Sequence, residues 1–352
     1  MKQFRSIAVA ISLLLLPSGA GIWAQEFELG PIQFVPMPDP GMPGYSYCPD
    51  GHISFLRDGD QFQMYWAGST TYRTRGHSLF TMGEAQPVLQ PGLRGSFENG
   101  GAWLNSVFRV AGQKLIGFYH AEDHEFAGDP TSRYVAWKSI ACCSSADNGL
   151  SWQKEGRIIT SSRPKPLQPA WGGCGDFCVV RDEKHHRWMC FFQEHYLCVA
   201  SSEDARGRPG TWKKYHDREF VEPGLDGRST PIQGLERHAG GNPSVHFNTY
   251  LNKWLMVWGT WENSSTSPDS IWLSSSSDLV HWDAPRLVVA AERQERCWYP
   301  TILGTSDVSG GREALLCYAY FPDKSQSHRK FVARAITFRR NLALGAYSSS
   351  RN

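Results

Sequence analysis

Three acidic residues mark places where the chain enters or leaves short apolar runs: Asp50 in CPDGHISF, Glu122 in YHAEDHE and Asp176 in GCGDFCVVRDE. Carboxylates gathered in one pocket can divide acid and base work, because a protonated carboxyl assists a departing oxygen while an ionised one activates water or attacks carbon. The sequence also supplies side chains suited to a polyhydroxylated substrate: His120, Asp123, Glu194, His195, Arg237, His238, Trp261 and Trp298. Arginine offers a planar fork for hydroxyls or a carboxylate, and tryptophan offers a flat apolar face. Each candidate also has a plainer explanation. Asp50 would cap a turn between Pro49 and Gly51, the histidines would satisfy backbone groups, and the tryptophans would pack between sheets.

These residues are scattered, so a repeated element must bring them together. From residue 45 onward a short strand, a tight turn and a second aromatic-rich strand recur five times. The first strands open at Asp50 (DGHISF), Leu104 (LNSVF), Asp176 (DFCVV), Asn242 (NPSVHF) and Tyr299 (YPTIL), each with Val or Ile three places on. Their partners are QMYWAGS from Gln63, LIGFYHAED from Leu115, WMCFFQEH from Trp188, WLMVWGTW from Trp254 and LLCYAYF from Leu315. Turn residues such as Asp58-Gly59-Asp60 and Ala111-Gly112 separate them, so each pair reads as an antiparallel hairpin. Third strands are expected near 77–81, 134–141, 196–201, 270–275 and 330–337. The starts recur roughly every 54–72 residues, a spacing of propeller blades.

The predicted fold is therefore all-β: a five-bladed β-propeller with four-stranded antiparallel blades over residues 44–345, after a signal peptide (1–24) and an N-terminal extension (25–43). In a hairpin, the start of the first strand and the end of the second lie at one edge. Innermost strands then gather Asp50, Asn105, Asp176 and Asn242 around the axis, and the second strands add His120, Glu122, Asp123, Glu194, His195 and Trp261. Arg237, His238 and Trp298, just ahead of strand starts, are expected to border this pocket.

Three further connections share a signature: SSADNGLSW at 144–152, SSEDARGRPGTW at 201–212 and SSSDLVHW at 275–282. The first has Ser145, Asp147, Gly149 and Trp152 in the spacing of an Asp box, in which the carboxylate accepts turn amides and Trp covers the hairpin. That role is structural.

With this repeat and turn motif, the chain resembles the five-bladed propeller glycosidases, the broad group of arabinanases, β-xylosidases, α-arabinofuranosidases and invertases. The resemblance extends over nearly the whole mature chain at the level of architecture. It implies a base or nucleophile at the start of the first blade, matched by Asp50, and an orienting, pKa-tuning Asp at the start of the third, matched by Asp176. The family's general acid, a Glu near the start of the fourth blade, has no counterpart, since GGNPSV stands there. Glu122 is the replacement candidate for the proton donor. The expected activity is hydrolysis of a poly- or oligosaccharide. A non-catalytic glycan-binding propeller, or a phosphorylase or transferase of the same fold, is the alternative.

Composition narrows the classes further. Lys2 and Arg5 precede an apolar run from Ile7 to Leu16 and small residues cleavable after Ala20 or Ala24, a signal peptide that predicts a secreted or periplasmic protein. Its removal takes two positive charges from a net +2, so the mature chain is near neutral. No basic stripe for nucleic acid or anionic membrane appears, and no later run spans a bilayer. A monomer with a carbohydrate partner is expected. The 14 Trp, 13 Tyr and 34 Gly suit short strands, tight turns and sugar stacking. Nine cysteines leave at least one unpaired. Cys178, Cys190, Cys198 and Cys317 read as small buried hydrophobes, and a ring-closing Cys48–Cys297 bridge is one hypothesis. No zinc-ligand spacing occurs, so no metal site is assigned and no cofactor is required. A structural calcium near the axis would follow only from relatives, since no ligand loop argues for it.

Overall fold

The β-branched and aromatic runs form strands, and the Gly- and Asp-rich breaks form their turns. The computed structural model describes residues 27–38, 49–128, 135–236, 240–261 and 267–340. Residues 1–24, read as a signal peptide, and Cys48, Arg237 and His238 lie outside the described residues.

Five antiparallel sheets carry the fold. Blade one runs Ser54–Asp58, Gln61–Ala67, Thr71–Gly76 and Gln86–Leu89. Blade two runs Gly101–Ala111, Lys114–Asp123, Trp137–Ser145 and Gln153–Ile159. Blade three runs Gly175–Asp182, Arg187–Gln193, Leu197–Ser202 and Lys213–His216, with an added edge strand Glu219–Pro223. Blade four runs Gly241–Asn248, Lys253–Gly259, Ile271–Ser276 and Arg286–Val289. Blade five is built from Arg296–Leu303, Glu313–Phe321 and Lys330–Phe338, and its outer strand is the N-terminal Phe27–Leu29, paired antiparallel with the last of these. Part of the segment read as an extension thus closes the ring. In blade one the third strand starts earlier than 77–81, because Gly68–Thr70 already turns the chain.

Each sheet is apolar on both faces, and neighbours cover both. Five buried clusters result, one between every adjacent pair of blades. The cluster that joins the ends of the array sets Leu303, Cys317 and Phe331 of blade five against Phe55, Met64 and Trp66 of blade one. Inner strands are also tied laterally. Val107 N–H donates to Ser54 Oγ (3.0 Å), Val179 N–H to Ser106 Oγ (2.9 Å) and Val245 N–H to Cys178 Sγ (3.2 Å).

These ties correct the repeat frame in blade one. Phe55 pairs with Met64 as Val107 pairs with Gly117, Val179 with Cys190, Val245 with Met256 and Ile302 with Leu316. Phe55, not Ile53, is therefore the counterpart of Val107. His52 takes the place of Asp176 in the ring, and Asp50 stands two residues further out. A slip of two residues keeps every side chain on its own face, so alternation in the sequence does not reveal it.

The Asp boxes form as expected. Asp147 accepts Leu150 N–H (3.1 Å), Ser151 N–H (3.0 Å) and Ser145 O–H (2.7 Å), and Asp204 and Asp278 hold the corresponding turns of blades three and four. Cys142, Cys143, Cys174, Cys178, Cys190, Cys198, Cys297 and Cys317 are buried free thiols. The hypothesised partner of Cys297, Cys48, lies outside the described residues.

Phe27 inserts into the cluster between blades four and five. Truncating it to Ala should cost about 3 kcal/mol, read as a lower urea midpoint with an unchanged m-value. A shift no larger than that of an exposed control would contradict closure by this strand.

Candidate active site

The inner strands of blades two to five each carry a bulge at the same height, between Leu104 and Ser106, Gly175 and Cys178, Gly241 and Ser244, and Trp298 and Thr301. Bulges re-aim side chains. Asp176 (φ 47°), Asn242 (φ 53°) and Tyr299 (φ 54°) occupy these bulges in the left-handed region. Asp and Asn tolerate that conformation through short polar side chains, whereas a tyrosine there is a strained exception.

On the blade-two side a chain of hydrogen bonds fixes protonation states. Asp176 N–H donates to His120 Nδ1 (3.0 Å), so the His120 proton resides on Nε2, which donates to Glu122 Oε1 (3.1 Å). His124 Nε2 lies 2.7 Å from Glu122 Oε2, and Lys138 Nζ donates to Asp176 Oδ2 at 2.7 Å. Burial opposes charge on Glu122, yet the two imidazoles overcome it and hold the carboxyl down at about 2. Asp176 is likewise held below its ordinary value by Lys138 and His120 against burial. Lys138 is held above its own, its burial outweighed by Asp176. His52, deep in the axis, is pushed down to about 4, first by burial and then by His120, with Asp176 opposing.

On the other side, Arg329 Nη1 donates to Asp50 Oδ1 (2.7 Å) and to the Pro49 carbonyl (3.0 Å), and Asp50 N–H is anchored on Ala67 O (2.9 Å). Tyr299 O–H donates to Asp50 Oδ1 at 3.4 Å. Its hydroxyl is pushed well above the ordinary range, first by burial, then by the charges of Asp50 and Asp176 and, more weakly, Glu122. Tyr299 is thus a neutral hydroxyl held on Asp50, in the field of Asp176 and, more weakly, Glu122.

The wall at blades four and five presents indoles and amides, and behind it the buried Asp269 carboxylate pairs with Arg296 (3.3 Å), whose guanidinium lies over the Trp298 ring (4.4 Å). Trp261 and Trp298 meet edge to face at 5.7 Å between centroids, and Trp298 continues to Tyr299 (6.1 Å). Beside them Gln193 Oε1, both amide atoms of Asn242 and Trp298 Nε1 are buried without hydrogen-bond partners. A Cβ on Gly241 would collide with the Gln193 amide and the Trp261 indole. A side chain at this position therefore requires Gln193 and Trp261 to move. Glycine is required in the same way beneath His120 (Gly175) and beneath His124 (Gly100).

Of the residues picked out from sequence, Asp50, Asp176, Glu122, His120, Trp261 and Trp298 sit around this axis. Glu194, His195 and Asp123 do not. Gln193 is the register equivalent of His120, so Glu194 points the opposite way, into the blade interface, where Ser161 (2.6 Å), Ser229 (3.0 Å) and Lys214 (3.5 Å) surround it. His195 is an exposed residue past the strand end at φ 113°. Asp123 alternates away from Glu122 to bind Asn99 (2.7 Å) and Lys165 (2.6 Å). A proton-donor role for Glu122 conflicts with its depressed pKa. Sequence reading missed Tyr299, Lys138, Arg329 and His52 as site residues. Only Tyr299 carried a signal, its place in the ring of strand starts. Among the described residues no group of three or more His, Cys, Asp or Glu is disposed to hold a metal ion.

No protein-family model matches the sequence, and no curated protein matches it. Solved structures do. A glycoside hydrolase aligns with a TM-score of 0.57 at 13% identity, covering 90% of this chain and 93% of that one. An exo-1,5-α-L-arabinanase from a bovine ruminal metagenomic library gives 0.56 at 9% identity, covering 84% and 96%. A family 117 glycoside hydrolase from the marine bacterium Zobellia galactanivorans gives 0.55 at 10% identity, covering 89% and 90%. The chain shares the five-bladed propeller fold of these glycoside hydrolases.

Two outcomes test this geometry. A carboxylate with a depressed folded pKa stabilises above its unfolded value of about 4.3, and that contribution disappears as pH falls toward 2. Glu122→Gln should therefore remove up to about 3 kcal/mol of acid-dependent stability over this window, seen as a flatter acid limb of unfolding free energy; an unchanged limb would contradict the pairing. Gly241→Ala should displace Gln193 or Trp261 at a cost of about 2 kcal/mol. Wild-type stability and an unaltered Trp emission spectrum would show that the site has room.

Proposed function

We propose that the protein is an exported glycoside hydrolase that works at the axial pocket. The single supporting observation is that Asp50, which accepts the Tyr299 hydroxyl, and Asp176 and Glu122, linked to each other through His120, stand around one axis. Asp50, at 38% side-chain exposure, is the most open of the three carboxylates and takes the role of base or nucleophile, with Arg329 holding it in place. Asp176 is the orienting carboxylate, its charge fixed by Lys138. Cleavage of an acetal by this route needs an oxygen or water activated on one side and a proton delivered to the departing oxygen on the other.

The wall of Trp261 and Trp298 favours an uncharged sugar ring as ligand. The near-neutral mature chain and the N-terminal leader support action outside the cytoplasm on a neutral glycan. A glycan-binding propeller without turnover is the second reading. It is favoured by Gly241, where a carboxylate would require Gln193 and Trp261 to move.

Asp50→Asn separates them. Under the hydrolase reading kcat falls by at least about 10³ while glycan affinity stays within severalfold. The variant should lose about 1–2 kcal/mol of stability, because Arg329 keeps an oxygen acceptor but not its counter-charge. Glycan binding with no reducing-sugar release by the wild type would establish the second reading.

A further inference from the structure

We propose that His124 is the proton donor of this site, held in position by Glu122; this rests on the hydrolase reading above.

The carboxylates are accounted for one by one. Glu122 receives a hydrogen bond from each of two imidazoles, Asp176 receives one from Lys138, and Asp50 receives one from Arg329. Partners of that kind stabilise the ionised carboxylate, and an ionised carboxylate has no proton to give. Gln193 and Trp261 fill the space that a fourth acid at the blade-four position would need. Tyr299 O–H is given to Asp50 and the Lys138 ammonium to Asp176, which leaves the imidazoles as donors at the described axis.

His120 is committed at both ring nitrogens. Its Nδ1 accepts Asp176 N–H, its Nε2 donates to Glu122, and its side chain is only 6% exposed. His124 differs on each count. Its Nε2 is engaged by Glu122 Oε2 at 2.7 Å, its Nδ1 makes no hydrogen bond among the described residues, and its side chain is 24% exposed. Its backbone N–H is tied to Asn99 Oδ1 at 3.0 Å. Its ring lies over Gly100, where any side chain would strike it. An imidazole oriented by a carboxylate on one nitrogen, with the other nitrogen open, is the arrangement by which histidine passes protons in other hydrolases.

The step balances. The glycosidic C–O bond breaks, and the leaving oxygen takes the Nδ1 proton of the His124 imidazolium. Water, deprotonated by Asp50, or the Asp50 carboxylate itself, forms the new bond to the anomeric carbon. In the first case the proton resides on Asp50 and returns to His124 through solvent. In the second, neutral His124 then deprotonates the water that releases the sugar. Glu122 stays ionised throughout as a positioning residue.

The test uses the mature protein and 2,4-dinitrophenyl and 4-methoxyphenyl glycosides of whichever sugar the wild type hydrolyses fastest. The dinitrophenolate departs without a proton; the methoxyphenolate needs one. His124→Ala should lower kcat/KM about 10³-fold on the methoxyphenyl glycoside and less than about tenfold on the dinitrophenyl glycoside. Glu122→Gln should show the same selectivity at about 10–100-fold on the poorer leaving group, because the imidazole remains but is less well held. Equal losses on both substrates, or no loss, would overturn the assignment of His124. A wild type inactive on every glycoside would overturn the hydrolase reading instead, and the donor with it.

Discussion

The architecture depends on one constraint: every sheet in this chain is apolar on both faces. Met64 and Trp66 alternate with Tyr65, and Cys190 and Phe192 alternate with Met189 and Phe191, each set buried in a different interface. A lone sheet of this kind has no stable arrangement in water, and a two-layer sandwich would leave two faces wet. Stacking five such sheets in a closed ring buries all of them, provided the last blade meets the first. The Phe27–Leu29 strand completes that last blade, so hydrogen bonding between the two ends of the chain secures what the packing requires. With its described cysteines all reduced and buried, the ring is held by packing and strand pairing.

Closure has a functional consequence. The inner strands converge, and their bulges lie at one height around the axis, so residues more than a hundred positions apart in sequence come to share one electrostatic environment. The interior of that cluster is charge-rich, yet each charge has a partner: Glu122 with two imidazoles, Asp176 with Lys138, Asp50 with Arg329. Unpaired, any of these groups would be driven toward its neutral form by desolvation. Paired, they keep their charges and give the pocket a fixed polarity, with Tyr299 as the neutral donor between them.

How much of this was legible follows from what repeats encode. Hairpin alternation and turn residues made the five blades, the Asp-box turns and the axial placement of Asp50, Asp176 and Glu122 readable. Parity was harder. Glu194 was read as a partner of the axis because it closes a strand, but it lies one residue past the His120 equivalent and therefore faces the blade interface. In blade one the two-residue offset that makes His52 the ring residue was invisible for the opposite reason, since it preserves parity. Lys138 and Arg329 come from third strands or their approaches, and nothing in a hairpin pattern fixes which third-strand side chain reaches the axis. Tyr299 was visible as a strand start, though its aromatic character concealed it among many packing tyrosines.

The absence of a carboxylate at Gly241 is explained by the same local geometry. Gly241 precedes a left-handed Asn242, and its missing side chain is the space into which Gln193 and Trp261 fit. A carboxylate there would displace both and add an anion to a wall whose buried Gln193 and Asn242 amide atoms have no partners with which to compensate it. The glycine is therefore not a simple deletion of an acid from an otherwise unchanged pocket. It belongs to a wall of indoles and amides backed by the Arg296–Asp269 pair, set opposite the charged cluster of Asp50, Glu122, Asp176, Lys138 and Arg329. A ligand spanning the axis would meet apolar faces on one side and fixed charges on the other. In a pocket so divided, the proposed proton transfer falls to the charged side, where the titratable groups are.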